Sequence, residues 1–205
     1  MAKTMTPSMT DGQIDKVVEN ITAGFRKRLR DHRDELSSDT VQTVLGQKDF
    51  ISALFAEFRQ RVEAVSNMIV RKVKVDRTRT SQEALDVTGR KQYTDDDVVK
   101  SMPNGKGDET EVIFFKVGRT ISDDDLEKEY ELRGLVPADP YSLCAVNGND
   151  PAFADEHPNG THWKDSNGKW CFASFGRWID ERGVSVDRDG RDWADCCWFA
   201  GVRKN

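Results

Sequence analysis

The sequence predicts an α+β protein: a helical N-terminal region, a linking strand–helix–strand section and a C-terminal mixed domain with a small antiparallel sheet. Three observations lead to this fold class. Apolar residues recur at helical spacing in the first third, β-branched residues alternate with charged ones at 68–76, and all five Trp and four Cys lie beyond residue 140. Because a shift in composition is typical of parts that pack differently, we predict three regions, 1–67, 68–136 and 137–205.

The charge balance excludes some classes of function. The 205 residues include 31 Lys+Arg and 36 Asp+Glu, for a net charge of −5, which argues against nucleic acid as a partner because duplex binding needs a basic face. No window contains the roughly 18 consecutive apolar residues of a membrane helix, and the N-terminus lacks a signal-peptide pattern. We therefore expect a soluble protein without a membrane span, cytoplasmic by default.

Two long amphipathic helices are predicted in the first region, over about 11–33 and 49–67. Between them, Ser37 caps a short helix that Gly46 ends. The apolar positions of the first helix are Ile14, Val17, Val18, Ile21 and Phe25. We expect the long helices to form an antiparallel hairpin and to serve homo-oligomerisation or docking.

The linking section begins with a strand pattern. Residues 68–76 alternate as a strand does, and 111–117 predict a second strand. Between them, Thr80 starts a capping signal for a brief helix that ends at Gly89.

Two aspartate triplets, Asp95–Asp97 and Asp123–Asp125, directly follow Thr94 and Ser122. A metal site is one interpretation of these triplets. Ser/Thr caps with carboxylates at the positive end of a helix explain them better, and a helix is predicted near 123–133.

The last region reads as loops and short strands. Four prolines between 137 and 158, with little periodicity, predict an ordered loop. The Asn167-Gly168 and Asp189-Gly190 dipeptides favour tight hairpin turns. The second turn is predicted to join strands at 184–186 and 193–202, which gives a small antiparallel sheet.

The search for catalytic and metal-binding patterns predicts no metal, no cofactor and no enzyme. Structural zinc favours cysteine pairs two to four residues apart, and neither such a pair nor a nucleophile elbow occurs. One alternative stays open, a small enzyme centred on His157, His162 and a nearby cysteine. The Cys and His residues of this region are Cys144, Cys171, Cys196, Cys197, His157 and His162.

A binding surface is predicted between Trp178 and Trp198, where aromatic residues frame a run of small and charged ones. Trp and Arg are typical of binding hot spots, although the tryptophans could also simply fill a small core. Another alternative is an accessory protein of a phage or mobile element that inhibits a host nuclease by acidic mimicry. It requires that the two aspartate triplets and Asp187–Asp195 cluster on one face.

The ending of the chain resembles a known family. It contains Asn159-Gly-Thr-His-Trp163, Trp170-Cys-Phe-Ala-Ser-Phe175, Arg182-Gly-Val184 and Trp198-Phe-Ala-Gly-Val-Arg203. These strings resemble C-type lectin-like domains related to formylglycine-generating enzymes, a fold shared by the variable proteins of diversity-generating retroelements. The whole chain also resembles a group of uncharacterised proteins from small-genome bacteria.

The resemblance implies a ligand-binding protein whose diversified surface lies at residues 179–197, and a protein is the expected class of ligand. The implied scaffold residues are Trp163, Trp170, Phe172, Phe199, Gly201 and Arg203. The implied diversified, ligand-binding positions are Ile179, Asp180, Gly183, Ser185, Asp187, Asp189, Arg191, Asp192, Ala194, Asp195, Cys196 and Cys197. Many of these residue types are reachable from an asparagine codon by changes at adenines.

Overall fold

The computed structural model describes residues 9–178, 180–188 and 190–204. The chain divides into two compact units, Met1–Glu57 and Phe58–Asn205. Helices and a mixed multi-stranded sheet are both present, which confirms the α+β class. Among the described residues, no helix combines the length and the apolar character that crossing a membrane requires.

The first unit is helical. It contains α1 (Asp11–Asp31), α2 (Ser38–Leu45) and the start of α3 (Phe50–Val65), which ends in the second unit. A capping box at Thr10 starts α1, since its side chain accepts from the Gln13 backbone N–H while the Gln13 side chain accepts from Thr10. The short helix lies where its predicted Ser37 and Gly46 caps place it.

The apolar stripe of α1 is exposed. Its members Ile14, Val18, Ile21, Phe25 and Leu29 have exposed fractions of 38–57%, and neither α1 nor α3 contains a buried residue. The antiparallel hairpin of the two long helices therefore stays a prediction.

The second unit contains the sheet and five complete helices among the described residues. The helices are α4 (Ser81–Asp86), α5 (Asp96–Lys100), α6 (Asp123–Leu132), α7 (Pro140–Asn149) and α8 (Phe153–Glu156). The strands are β1 (Ile69–Lys74), β2 (Lys91–Thr94), β3 (Glu109–Lys116), β4 (Leu135–Pro137), β5 (Asn159–Lys164), β6 (Trp170–Trp178), β7 (Glu181–Asp187) and β8 (Trp198–Arg203).

The eight strands form one mixed sheet. Its order is β1-β3-β8-β5-β6-β7-β2, and β4 pairs with β8 outside this path. The β2–β7 and β5–β8 pairs are parallel and the other pairs are antiparallel. Strands of the linking section thus pair with strands of the last region, which makes the sheet larger than the small antiparallel sheet that the sequence predicts.

Two cores lie on opposite faces of the sheet. Along β3, Val112 and Phe114 belong to the larger core with residues of α4, α5, α7 and α8, while Ile113 and Phe115 belong to a smaller core under α6. This alternation is the two-residue period of a strand buried on both faces. The face that carries α6 also carries the groove described below.

The loop predicted between 137 and 158 is wrong, because this segment forms α7 and α8. Asp139 caps α7 by accepting from the Ser142 backbone N–H, and Pro140 occupies the first turn, where its missing N–H costs nothing. Most of α7 is buried, on all of its sides, so it has no polar stripe. Helical periodicity is therefore absent from its sequence.

Two finer predictions are also wrong. The residues around 184–186 and 193–202 do not form a hairpin, because β7 pairs with β6 and β2 whereas β8 pairs with β3, β4 and β5. The cap of α5 is Asp95 rather than Thr94. Ser122 caps α6 as predicted.

Candidate functional site

A groove lies over β6 on the sheet face that carries α6. Its volume is about 320 Å³. We name it the aromatic groove, and most of the β6 residues that line it are alternate ones, namely Trp170, Phe172, Ser174, Gly176 and Trp178. Cys171 and Phe175 of the same strand also contribute to the lining. Further lining comes from Asp123, Pro158, Asn159, Arg191, Asp192, Trp193, Ala194, Cys196 and Cys197.

The next strand continues this face. Phe172, Ser174 and Gly176 pair directly with Asp187, Ser185 and Gly183 of β7, and directly paired residues of neighbouring strands point to the same side of a sheet. The intervening residues Val184 and Val186 are fully buried in the larger core. The three positions of β7 predicted to vary therefore all share the face of the aromatic groove.

The segment after β7 borders the groove. Trp193 forms a two-way backbone bridge with Ile121: its N–H donates to the Ile121 carbonyl at 2.8 Å, and the Ile121 N–H donates back at 3.1 Å. The Trp198 N–H then donates to the Pro158 carbonyl at 2.7 Å. These bonds fix both ends of the segment that carries Ala194, Cys196 and Cys197, and Arg191 and Asp192 directly precede it.

Two of the groove tryptophans are held by carboxylates from the first turn of α6. The Trp193 Nε1–H donates to Asp123 Oδ1 at 2.8 Å, and the Trp170 Nε1–H donates to Asp124 Oδ1 at 3.2 Å. We name Trp170 and Trp193 the hydrogen-bonded wall. The Trp193 ring also lies over Gly160, since a Cβ added there would sit 2.6 Å from it.

A buried histidine lies behind this wall, outside the groove lining. The His162 ring stacks on Trp170 at 4.5 Å between centroids and 9° between planes. Its Nδ1 lies 2.7 Å from Asp123 Oδ1, and its Nε2 lies 2.8 Å from Glu127 Oε1 without hydrogen-bond geometry. Burial opposes the charged form, but the contacts with the Asp123 and Glu127 carboxylates outweigh it and raise the pKa of His162 above its ordinary value.

The third groove tryptophan is held differently. The Trp178 ring lies over Gly183, where an added Cβ would come 1.9 Å from it, and beside Gly176, where the distance would be 3.7 Å. Its ring partner is Tyr93, at 5.7 Å in edge contact. Among the described residues its indole N–H has no hydrogen-bond partner, and 39% of the residue is exposed. We name Trp178 the glycine-seated wall.

Three of the four cysteines, Cys144, Cys171 and Cys197, do not have the environment of nucleophiles. Burial raises the pKa of the Cys144, Cys171 and Cys197 thiols above the ordinary value, so these groups are protonated at neutral pH. His157 packs against Trp198 at 4.9 Å, and the described lining of the aromatic groove contains neither histidine. No group of three His, Cys, Asp or Glu side chains in the described ranges could hold a metal ion.

Several acidic residues on which the mimicry alternative depends make contacts with residues close to them along the chain. Asp95 caps α5 through the N–H groups of Asp97 and Val98, and the Asp123–Asp125 triplet forms the first turn of α6. Asp125 pairs with Lys128 at 2.6 Å, and Asp187 accepts from the Arg188 N–H. Asp123 and Asp192 nevertheless both line the aromatic groove. The mimicry alternative, which requires the acids to cluster on one face, stays a prediction.

The structure brings most of the predicted ligand-binding residues together. Ile179 and Asp189 lie outside the described residues, and Asp180 and Asp195 are exposed in turns beyond the lining of the aromatic groove. The others lie on the β7 face or in the groove lining, namely Gly183, Ser185, Asp187, Arg191, Asp192, Ala194, Cys196 and Cys197.

The predicted scaffold residues occupy different environments. Trp163, Phe199 and Gly201 are buried, and a Cβ on Gly201 would sit 3.0 Å from the Tyr130 ring. Trp170 and Phe172 instead line the aromatic groove. Arg203 is exposed at the end of β8.

Sequence reasoning missed Asp123, Ser174 and Gly176 as groove residues. The alternation along β6 was a usable signal for Ser174 and Gly176, because they continue the face of Phe172. No local signal links Asp123 to Trp193, which lies 70 residues away along the chain.

Comparison with protein-family models, with curated proteins and with solved structures finds no significant match to this chain.

Proposed function

We propose that this chain is a ligand-binding protein, not an enzyme, that displays a diversified surface on a C-type lectin-like scaffold. The observation that carries the proposal is the arrangement of β7. The positions that the resemblance implies to vary share a face with the aromatic groove, and the positions between them are buried in a core. Substitutions on the groove face would change the ligand without disturbing the packing.

A protein is the ligand class that the groove chemistry supports best. Three tryptophans line the groove, with Arg191 and Asp192 also in its lining, a composition typical of interface hot spots. The raised pKa values of the Cys144, Cys171 and Cys197 thiols support binding over catalysis. The position of His157 and His162 outside the groove lining supports it as well.

The test is to sequence the 3′ end of this gene, with its flanking DNA, from many cells of the source population. We expect substitutions at codons 183, 185, 187, 191, 192 and 194–197, at adenines of a nearby template repeat, while the tryptophan codons stay fixed. Codons 184 and 186 are the internal control, because they lie in the same strand and face the core. Equal variation at both sets of β7 codons, or no variation, would contradict the proposal.

We also propose that the N-terminal helices join two copies of the chain. The exposed stripe of α1 needs a cover, and its charges are divided along its length. Its first half carries three acids and one base, namely Asp11, Asp15, Glu19 and Lys16, and its second half carries four bases and one acid, namely Arg26, Lys27, Arg28, Arg30 and Asp31. In an antiparallel pair of α1 helices the acidic half of each lies against the basic half of the other.

Sedimentation velocity of the whole chain tests this association. We expect a dimer for the wild type and a monomer for Ile21→Glu, which places a charge in the middle of the stripe. The matched control is Gln13→Glu, which lies on α1 outside the stripe and is expected to remain dimeric. A wild-type monomer at all concentrations would contradict the association.

A further inference from the structure

The three tryptophans of the aromatic groove differ in what holds them. The two indole N–H groups of the hydrogen-bonded wall donate to Asp123 and Asp124. Trp178 has no such bond among the described residues and lies on the bare backbone of Gly183. Its place is therefore determined by shape rather than by hydrogen bonds.

Gly183 is not required by the backbone. Its φ does not fall in the left-handed region that favours glycine, so an L-residue can adopt the same conformation. The obstacle to a side chain is the Trp178 ring, because the three atoms nearest to an added Cβ all belong to it, the closest at 1.9 Å. No real Cβ contact is this short, so a side chain at position 183 must displace the ring.

The displacement can occur without disturbing the core. Trp178 is 39% exposed, and its edge contact is with Tyr93, which is itself 46% exposed. Gly183 precedes the buried Val184 in β7, and its strand partner Gly176 presents no side chain to the same face. The ring can therefore swing toward solvent while β6 and β7 stay paired.

We propose that residue 183 determines the shape of the aromatic groove, and hence which ligand fits, by setting the position of Trp178. With glycine, the indole lies flat on the strand and forms one wall of the groove. With any side chain, the indole leaves and the groove opens at that end. Position 183 is thus a specificity-determining position that acts through a residue outside the predicted variable set.

This inference rests on the proposed function, which makes the aromatic groove the binding surface. The movement of the Trp178 ring is measured without a ligand, so the inference and the proposed function can fail separately. Variation at codon 183 with an unmoved ring would overturn the inference alone. A moved ring with no variation at any codon of the predicted variable set would overturn the proposed function alone.

The experiment is fluorine NMR of the whole chain labelled with 5-fluorotryptophan, which gives one resonance for each of the five tryptophans. Trp178→Phe identifies the Trp178 resonance by its loss. In Gly183→Ala we expect the Trp178 resonance to shift toward the position of a solvent-exposed indole, while those of Trp170 and Trp193 stay in place. An unmoved Trp178 resonance, or equal shifts of all three, would overturn the inference.

Gly176→Ala is the matched control. An added Cβ there would sit at an ordinary contact distance of 3.7 Å from the same indole, so the Trp178 resonance should move little. Should Gly183→Ala fail to fold, the double variant Gly183→Ala/Trp178→Ala decides, because it removes the ring that causes the clash. A folded double variant supports the inference, and an unfolded one overturns it.

Discussion

The two kinds of wall in the aromatic groove are built from the same residue type but held by opposite means. Trp170 and Trp193 donate to carboxylates of α6, and His162 lies stacked beneath one of them. Trp178 rests on a glycine and touches one exposed ring. The hydrogen-bonded wall therefore belongs to the packed part of the molecule, whereas the glycine-seated wall belongs to its surface.

This difference suggests how a binding site can change without losing its fold. A well-held wall gives a ligand a preorganised surface at low entropic cost. A wall that depends on the residue beneath it can be reshaped by one substitution. The aromatic groove combines both, and the residues that hold the first wall lie outside the segment 179–197 that is proposed to vary.

The largest effect is expected from breaking the hydrogen-bonded wall. Asp123→Ala removes the partner of both His162 and Trp193 and leaves a buried imidazole facing Glu127 alone. Loss of one partner of a buried ion pair costs about 3 kcal/mol. We expect the free energy of unfolding in urea to fall by about that amount, and the Trp193 fluorescence to change with it.

Asp125→Ala is the matched control, because it changes a carboxylate in the same helical turn. Asp125 is half exposed and pairs with Lys128 on the surface, and exposed pairs contribute little. A similar loss of stability in both variants would mean that the carboxylates stabilise the first turn of α6, and that the contacts of Asp123 with His162 and Trp193 add nothing.

The sequence predicts the β7 face beneath the glycine-seated wall better than the contacts of the hydrogen-bonded wall. The reason is that those contacts join residues that lie far apart along the chain. The face of β7 follows from alternation, because Gly183, Ser185 and Asp187 are two residues apart and Val184 and Val186 lie between them. The capping role of Ser122 is equally local. The contacts of Asp123 with His162 and Trp193 span 39 and 70 residues, and no local pattern records them.

The elements of the fold also differ in how far the sequence predicts them. Caps and stripes predict the helices of the first unit, and β-branched alternation predicts β1 and β3. The helix α7 was predicted as a loop because burial on all sides removes its periodicity. The parallel pairing of β8 with β5 is a long-range choice, since a strand shows by its sequence that it will pair but not with which partner.

A smaller effect is expected from the charge of His162, which stacks on Trp170 of the hydrogen-bonded wall. The groups that face His162 are Asp123 and Glu127 of α6, the indole of Trp170 and the ring of Tyr130. The carboxylates raise the pKa of His162 in the folded protein above the value of about 6.5 in the unfolded chain. Folding therefore favours the protonated imidazole.

The sign of the pH dependence follows from this order of the two pKa values. Below about pH 6.5, both states carry the proton and the full stabilisation is present. As the pH rises toward the folded pKa of His162, the unfolded state releases its proton first, and the stabilisation falls by at most about 1.4 kcal/mol per pH unit. This stabilisation is measured by urea unfolding from pH 5.5 to 9, as the difference in unfolding free energy between the wild type and His162→Gln.

We expect that difference to shrink with rising pH. In the Asp123→Asn background the same difference should stop declining at a lower pH and fall by less in total, because the folded pKa of His162 loses one of the charges that raise it. A difference that grows with pH would mean that burial, not the carboxylates, decides the charge of His162. The hydrogen-bonded wall would then be a neutral aromatic stack, held in place by hydrogen bonds to Asp123 and Asp124 without an ion pair beneath it.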